Sequence, residues 1–314
     1  MKGESELECV ADVNCLLGEA PLWHPEEDKL YWVDILAGTL LCYHPCSALH
    51  EQLYVGDMIG GIALQADGSL LLFQEEGAVR SWRNGIISTV LEPSQCQRGY
   101  RFNDVTVSPS GEVVCGVIPF EKAAKSRLAK YRRRLRRLTQ RFQVRTPSLA
   151  GLYILDKSGR LTRLPVEVNF ANGSGFSPDR MQFYLTDSMR REIHVFDCSA
   201  GVGCLADRRI FAVVPPDEGL PDGLTIDAEG YIWSARWGGG RVVRYDPYGA
   251  IERSIEVPAR NVSSVTFGGP DYRHLYITTA GDDDRDALRN GAGALFRATP
   301  GIQGIPEFRS RIES

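Results

Sequence analysis

Six similar segments recur along this chain of 314 residues, and the repetition restricts the possible folds more than any other feature. Each segment contains a short apolar strand, a turn rich in Pro, Asp or Gly, and a second apolar strand. The first strands begin at positions 19, 60, 103, 172, 222 and 263, so they are 41, 43, 69, 50 and 41 residues apart. Short β-rich runs alternating with turns indicate an all-β protein.

The spacing of the segments predicts a β-propeller. Four short strands in roughly 40 to 50 residues are typical of one propeller blade. We therefore predict a single six-bladed propeller domain over residues 1–314, with a basic helical insert at 122–147 in the third blade. Apolar residues make up 43% of the chain, which is enough to form a sizeable core.

The insert is strongly basic. Residues 122–145 contain 11 Lys or Arg and no Asp or Glu, whereas the rest of the chain contains 25 basic and 40 acidic residues. Apolar residues three and four positions apart predict an amphipathic helix. We expect a lid or surface insert packed on the protein itself, although such a helix also suits an anionic partner or surface. One basic helix is a weak indication of nucleic-acid binding, and we expect none.

The N-terminal residues and the cysteines favour a cytoplasmic location. Residues 1–18 contain four acidic side chains and no long apolar run, so we expect no secretory signal and, along the whole chain, no transmembrane segment. The eight cysteines are scattered and are expected to be reduced thiols. Cys42 and Cys46 have no matching second pair, so we expect no structural zinc site there.

One position is equivalent in all six first strands, four residues before the last apolar residue of each. The innermost strands of a propeller line its central channel, so these side chains should converge. The position holds Glu19, Gly60, Asn103, Asn172, Asp222 and Ser263. Four of the six offer carboxylate or carboxamide oxygen, which suits Ca²⁺, Mg²⁺ or Mn²⁺, with Zn²⁺ possible through the carboxylates. Asn and Asp also begin strands after turns, but Glu is a poor turn former, so we predict one divalent-metal site.

Longer motifs surround these positions. They are GEAPLWHPEEDKLYWVDI (18–35), RFND (101–104), ANGSGFSPD with YLTDS (171–188), LPDGLTIDAEGYIWSARWGGGRVVRYDP (220–247), and NVSSVTFGGPDYRHLYITTA (261–280) with GAGALFR (291–297). Over residues 18–298 the chain resembles the senescence-marker-protein, gluconolactonase and luciferin-regenerating-enzyme-like family, which includes regucalcin. Members are six-bladed propellers with one divalent metal in the channel, and the characterised enzymes are chiefly sugar lactonases. The resemblance therefore implies a small-molecule lactone as substrate.

The resemblance also implies roles for individual residues. Glu19, Asn172 and Asp222 match the metal ligands, and Asp222 also matches the general acid/base. The substrate-binding positions are matched by Arg101, Asn103 and Glu121. The chain departs from the family pattern at Val105-Thr106, Gly116-Val117-Ile118 and Ser174-Gly175. These differences concern substrate selection rather than the metal site.

Together with the predicted metal site, the resemblance implies a metal-dependent hydrolase that opens a sugar lactone. The metal would polarise the carbonyl oxygen, and Asp222 would take a proton from the attacking water and pass it to the ring oxygen. Two other functions remain open. One is hydrolysis of an organophosphate or another ester at the same metal, and the other is a non-catalytic calcium-binding or interaction propeller whose basic helix binds a partner.

Overall fold

The computed structural model describes residues 7–94, 99–120, 151–281 and 291–313. These residues form 24 β-strands in six antiparallel sheets of four strands each. The predicted six-bladed all-β propeller is thus confirmed. The predicted insert at 122–147 lies outside the described residues, so its helical structure stays a prediction.

Each of the first five blades is formed by four consecutive strands. Blade 1 contains β2 (Gly18–His24), β3 (Lys29–Asp34), β4 (Thr39–His44) and β5 (Leu49–Val55). Blade 2 contains β6 (Ile59–Leu64), β7 (Leu70–Gln74), β8 (Val79–Arg83) and β9 (Ile86–Leu91). Blade 3 contains β10 (Tyr100–Val107), β11 (Val113–Pro119), β12 (Gly151–Leu155) and β13 (Leu161–Arg163). Blade 4 contains β14 (Ala171–Phe176), β15 (Gln182–Asp187), β16 (Glu192–Asp197) and β17 (Ala206–Val213). Blade 5 contains β18 (Leu220–Ile226), β19 (Ile232–Trp237), β20 (Arg241–Tyr245) and β21 (Ile251–Glu256).

The sixth blade joins the two ends of the chain. It contains β22 (Val262–Gly268), β23 (His274–Thr279), β24 (Leu295–Ala298) and, as its outermost strand, β1 (Leu7–Ala11). The pairing of β1 with β24 places Leu7 opposite Ala298 and Cys9 opposite Phe296. This pairing closes the ring, because an N-terminal strand completes a blade that C-terminal strands begin.

The core lies between the blades. Six clusters of buried apolar side chains each join two neighbouring blades, and together they account for all six interfaces around the ring. At one interface Trp233 of blade 5 packs edge-on against Phe267 of blade 6, with ring centroids 5.8 Å apart. Both faces of each blade are therefore covered, which explains why the second strand of each blade is buried along nearly its whole length.

The segment after β24 contacts residues that follow the inner strands of other blades. The backbone N–H of Ser310 donates to Leu64 O at 2.8 Å, and that of Arg311 donates to Gly111 O at 2.9 Å. The side chain of Gln65 donates to Ile312 O at 3.0 Å. In the part of the chain that is described, no helix is both long enough and apolar enough to cross a membrane.

Candidate metal and active site

A bulge interrupts each of the six inner strands at the level of the predicted site. The pairing register shifts between residues 19 and 22, 59 and 61, 102 and 105, 171 and 174, 221 and 224, and 262 and 264. A bulge leaves residues out of the ladder and turns a side chain away from its usual face. The position that is equivalent in the six inner strands lies within each bulge at residues 60, 103, 172, 222 and 263. In blade 1, Glu19 lies at the start of the bulge.

Three of the bulges depend on glycine. A Cβ on Gly60 would lie 1.9 Å from the backbone O of Phe102. A Cβ on Gly173 would lie 2.2 Å from the backbone N of Leu224, and one on Gly223 would lie 2.1 Å from the Oγ of Ser264. Only glycine permits neighbouring inner strands to approach this closely. The pairs Asn172-Gly173 and Asp222-Gly223 lie in strands and are not the turns that such pairs usually form.

Four of the predicted site residues line one cavity of about 420 Å³ that opens to solvent. They are Glu19, Asn103, Asn172 and Asp222, and all four are buried. The rest of the lining includes the apolar side chains of Leu17, Ile35, Phe170, Met189, Leu220 and Trp237. A few polar groups within a largely apolar lining are typical of a small-molecule site. Glu121 lies outside the described residues, and its role stays a prediction.

A chain of hydrogen bonds connects three blades at this cavity. Arg101 Nη1 donates to Asn103 Oδ1 at 2.9 Å, and Asn103 Nδ2 donates to Asn172 Oδ1 at 2.6 Å. Asn172 Nδ2 then donates to Ser188 Oγ at 2.9 Å, and Ser188 Oγ donates to Pro221 O at 2.7 Å. Arg101 is thus placed behind Asn103 and does not line the cavity itself.

These hydrogen bonds fix the orientation of the Asn172 carboxamide. The hydroxyl proton of Ser188 is used on Pro221 O, so the hydroxyl oxygen must accept from the Asn172 amide group. The Asn172 oxygen therefore lies on the side of Asn103, and the described residues make one hydrogen bond to it. A carboxamide oxygen has a second lone pair, which can bind a cation or a proton donor. Arg101 is buried, and its Nη2 has no hydrogen-bond partner among the described residues.

The cavity concentrates negative charge away from water. Burial, followed by the charge of Asp104, raises the pKa of Glu19. Burial, followed by the charges of Glu19 and Asp104, raises the pKa of Asp222 well above its ordinary value. Among the described residues, no Lys, Arg or His forms an ion pair with either carboxylate. The Arg101 cation lowers the pKa of both carboxyl groups, but the effects that raise it are larger. Two buried carboxylates therefore remain costly, and a divalent cation bound by oxygen ligands fits this donor set.

The sequence analysis did not single out two residues at the site. Asp104 belongs to the RFND motif, and burial raises its pKa to about 7. Ser188 ends the YLTDS motif and connects Asn172 to the strand that holds Asp222. Both belonged to recognisable motifs, but only the folded structure shows which groups they contact.

The sequence model of the SMP-30/gluconolactonase/LRE-like region matches residues 17–281. The chain belongs to this family. It is 38% identical over 314 residues to the pentonolactonase XacC of Haloferax volcanii, across 96% of this chain and 97% of the relative. It is 29% identical over 309 residues to regucalcin of Gallus gallus, across 96% and 97%.

The fold agrees with that of solved family structures. The structure of a calcium-binding protein, regucalcin, from Agrobacterium tumefaciens superimposes with a TM-score of 0.82 at 26% identity, over 99% of this chain and 98% of that one. The resemblance inferred from the motifs is thereby confirmed. The SMP-30/gluconolactonase/LRE-like family includes relatives that are named as sugar lactonases, and this chain is similar to them along nearly its whole length.

Proposed function

We propose that this protein is a divalent-metal-dependent hydrolase that opens a sugar lactone. The main support is the pair of buried carboxylates, Glu19 and Asp222, which share one cavity with the Asn172 carboxamide. A pair of this kind is unfavourable unless a cation or a proton balances it. The relative named as a pentonolactonase supports a lactone as the substrate class.

Glu19, Asn172 and Asp222 would hold the metal. Their oxygen donors suit a hard cation, and Ca²⁺ is our first choice because a solved family member is described as a calcium-binding protein. A bound divalent cation supplies Lewis acidity at the lactone carbonyl and lowers the pKa of a coordinated water. The fixed orientation of Asn172 keeps its oxygen available without further rearrangement.

The protein side chains handle the proton and the sugar. In this proposal Asp222 accepts a proton from the attacking water and returns it to the ring oxygen as the ester bond breaks. Asn103 donates to Ala171 O and to Asn172 Oδ1 and so positions Asn172, and Arg101 orients Asn103 by donating to its Oδ1. The Arg101 cation, behind Asn103, lowers the pKa of both cavity carboxyl groups and so makes negative charge in the cavity less costly. Glu121 is proposed as an additional substrate-binding residue.

The domain organisation, the insert, the cellular location and the absence of nucleic-acid binding also belong to the proposal. The pairing of β1 with β24 supports a single propeller domain over residues 1–314. We propose that the insert at 122–147 forms a helix that covers the protein or contacts an anionic partner or surface. A cytoplasmic location and the absence of nucleic-acid binding are proposed on the grounds of sequence alone.

A lactone panel tests the proposed function. Acid release is followed with a pH indicator for EDTA-treated protein that is then supplied with Ca²⁺, Mg²⁺, Mn²⁺ or Zn²⁺. Asp222→Ala is compared with Asp246→Ala, because Asp246 is a surface residue of the same blade whose carboxylate caps a turn. We expect metal-dependent release in the wild type and in Asp246→Ala, and none in Asp222→Ala.

The alternatives give different results in the same assay. Turnover of organophosphates or other esters without lactones would identify another hydrolase using the same metal. Metal binding without turnover of any ester would support a non-catalytic calcium-binding protein. Acid release that survives EDTA, or that persists in Asp222→Ala, would contradict the proposed roles.

A further inference from the structure

A second group of metal-binding side chains lies on the outer strands of blade 1. Strands β4 and β5 pair with Cys42 opposite Glu51, and His44 projects from the same face two residues after Cys42. Cys42 Sγ lies 3.7 Å from His44 Nε2, which lies 2.7 Å from Glu51 Oε1. One donor atom from each of the three side chains lies within 4.8 Å of the other two.

The spacing of these donors is close to that of a tetrahedral zinc site. Zinc bonds of about 2.3 Å to sulfur and about 2.0 Å to nitrogen place the two donors about 3.6 Å apart, which agrees with the Cys42–His44 distance. Zinc would hold a nitrogen and an oxygen donor about 3.4 Å apart. His44 Nε2 and Glu51 Oε1 are 2.7 Å apart, so the Glu51 carboxylate must move outward by less than 1 Å. The Glu51 side chain is 52% exposed, which leaves it room to do so.

Neighbouring side chains enclose the buried end of the group. Cys42 is fully buried, and Tyr31 of β3 lies opposite it. The Tyr31 hydroxyl donates to Glu27 Oε2 at 2.6 Å, and Lys29 Nζ lies 3.1 Å from Glu27. The Lys29 charge is therefore already balanced by Glu27.

We propose that Cys42, His44 and Glu51 bind a thiophilic divalent cation, for which Zn²⁺ is the best match. Thiolate, imidazole and carboxylate together are typical zinc ligands, whereas the channel offers oxygen alone. Binding forms the sulfur–metal bond as the Cys42 thiol loses its proton to solvent, and water completes the coordination. The ion connects β4 to the edge strand β5.

This proposal differs from an expectation from the sequence. Cys42 and Cys46 lack a second cysteine pair, which argued against a zinc site. The third ligand instead comes from strand pairing, which places Glu51 opposite Cys42. The proposed site does not depend on the proposed lactonase activity, because it shares no residue with the channel.

Cobalt provides a direct test on the full chain. Ca²⁺ first saturates the oxygen site, and Co²⁺ is then titrated while sulfur-to-cobalt charge transfer is followed in the near ultraviolet. We expect this band in the wild type, its loss in Cys42→Ser, and its displacement by Zn²⁺. Cys46→Ser is the matched control, because Cys46 is exposed and lies only four residues away; it should keep the band.

Two further variants keep the test decisive if Cys42→Ser does not fold. His44→Gln and Glu51→Gln alter partly exposed side chains and should weaken Co²⁺ binding by about tenfold or more, with lactone turnover in Ca²⁺ unchanged. A wild type without the band, a band that persists in Cys42→Ser, or its loss in Cys46→Ser would overturn the proposal. A failure of lactone turnover in every protein would refute only the proposed function.

Discussion

Ser188 holds the Asn172 carboxamide in place, and its replacement by Ala tests how much that orientation matters. The Ser188 hydroxyl accepts from Asn172 Nδ2 at 2.9 Å and donates to Pro221 O at 2.7 Å. Ser188 is 3% exposed, so water does not easily replace the missing hydroxyl. Ser188→Ala removes one acceptor and one donor without changing a charge.

The expected effect has two components. A buried polar group without a partner costs about 1–3 kcal/mol, so the free energy of unfolding should fall by that order for the metal-free protein. The Asn172 carboxamide also loses its hydrogen bond to Ser188 and is then held through Asn103 alone. Loss of a residue that orients a metal ligand typically lowers metal affinity about 10- to 100-fold. That range corresponds to about 1.4–2.7 kcal/mol of binding free energy.

Calorimetric Ca²⁺ titration and thermal unfolding measure the two components separately. Ser234→Ala is the matched control, since Ser234 is also buried and accepts a hydrogen bond at 2.6 Å from Arg236 Nη1. Ser234 does not line the cavity. The control should lower the unfolding temperature while leaving Ca²⁺ affinity unchanged.

Two outcomes would show that Ser188 does not act through the Asn172 carboxamide. If Ser188→Ala and Ser234→Ala lower stability equally and both bind Ca²⁺ as the wild type does, then Ser188 does not orient a metal ligand. A loss of affinity in both variants would mean that general loosening of the fold, rather than the Asn172 orientation, controls binding.

Three further predictions concern buried ionisable side chains. Burial and the charge of Asp104 raise the pKa of Glu19. The free energy of unfolding of the metal-free protein should therefore fall as pH rises through that pKa. Glu19→Gln should raise the unfolding temperature at alkaline pH, and Ca²⁺ should no longer increase the unfolding temperature of this variant. Asp34 accepts three backbone N–H groups, so Asp34→Asn should cost about 1–3 kcal/mol in chemical denaturation, and an unchanged midpoint would contradict this. Burial and the charge of Arg208 lower the pKa of His194 to about 4. The unfolded state therefore binds more protons than the folded state below pH about 6.5, and the free energy of unfolding should fall by roughly 2–3 kcal/mol as pH decreases to about 4. His194→Gln should flatten this pH dependence in thermal unfolding.

Much of the fold follows from patterns between neighbouring residues. The six repeated segments predicted six blades, since strand alternation and turn formation depend on residues close together in sequence. The same repetition predicted that the side chains of Glu19, Asn103, Asn172 and Asp222 converge, and these four line one cavity. The motif resemblance predicted the family, which the match over residues 17–281 shows.

The bulges and the residues behind the site required the tertiary structure. Each inner strand departs from regular pairing where a neighbouring strand passes close by, as at Gly173 and Gly223. The contacts of Ser188 depend on blades 4 and 5 lying side by side, because its hydroxyl joins Asn172 to Pro221 O. No local pattern specifies that geometry.

The sequence by itself determined which strands form, how many blades they build and which oxygen-bearing side chains line one cavity. The tertiary structure decided that β1 completes the blade of β24, although Leu7 and Ala298 lie at opposite ends of the described chain. It also decided that Glu51 lies opposite Cys42, because the exact register of a hairpin determines which side chains meet. Local patterns are encoded by adjacent residues, whereas contacts between distant residues form only when the whole ring closes and packs.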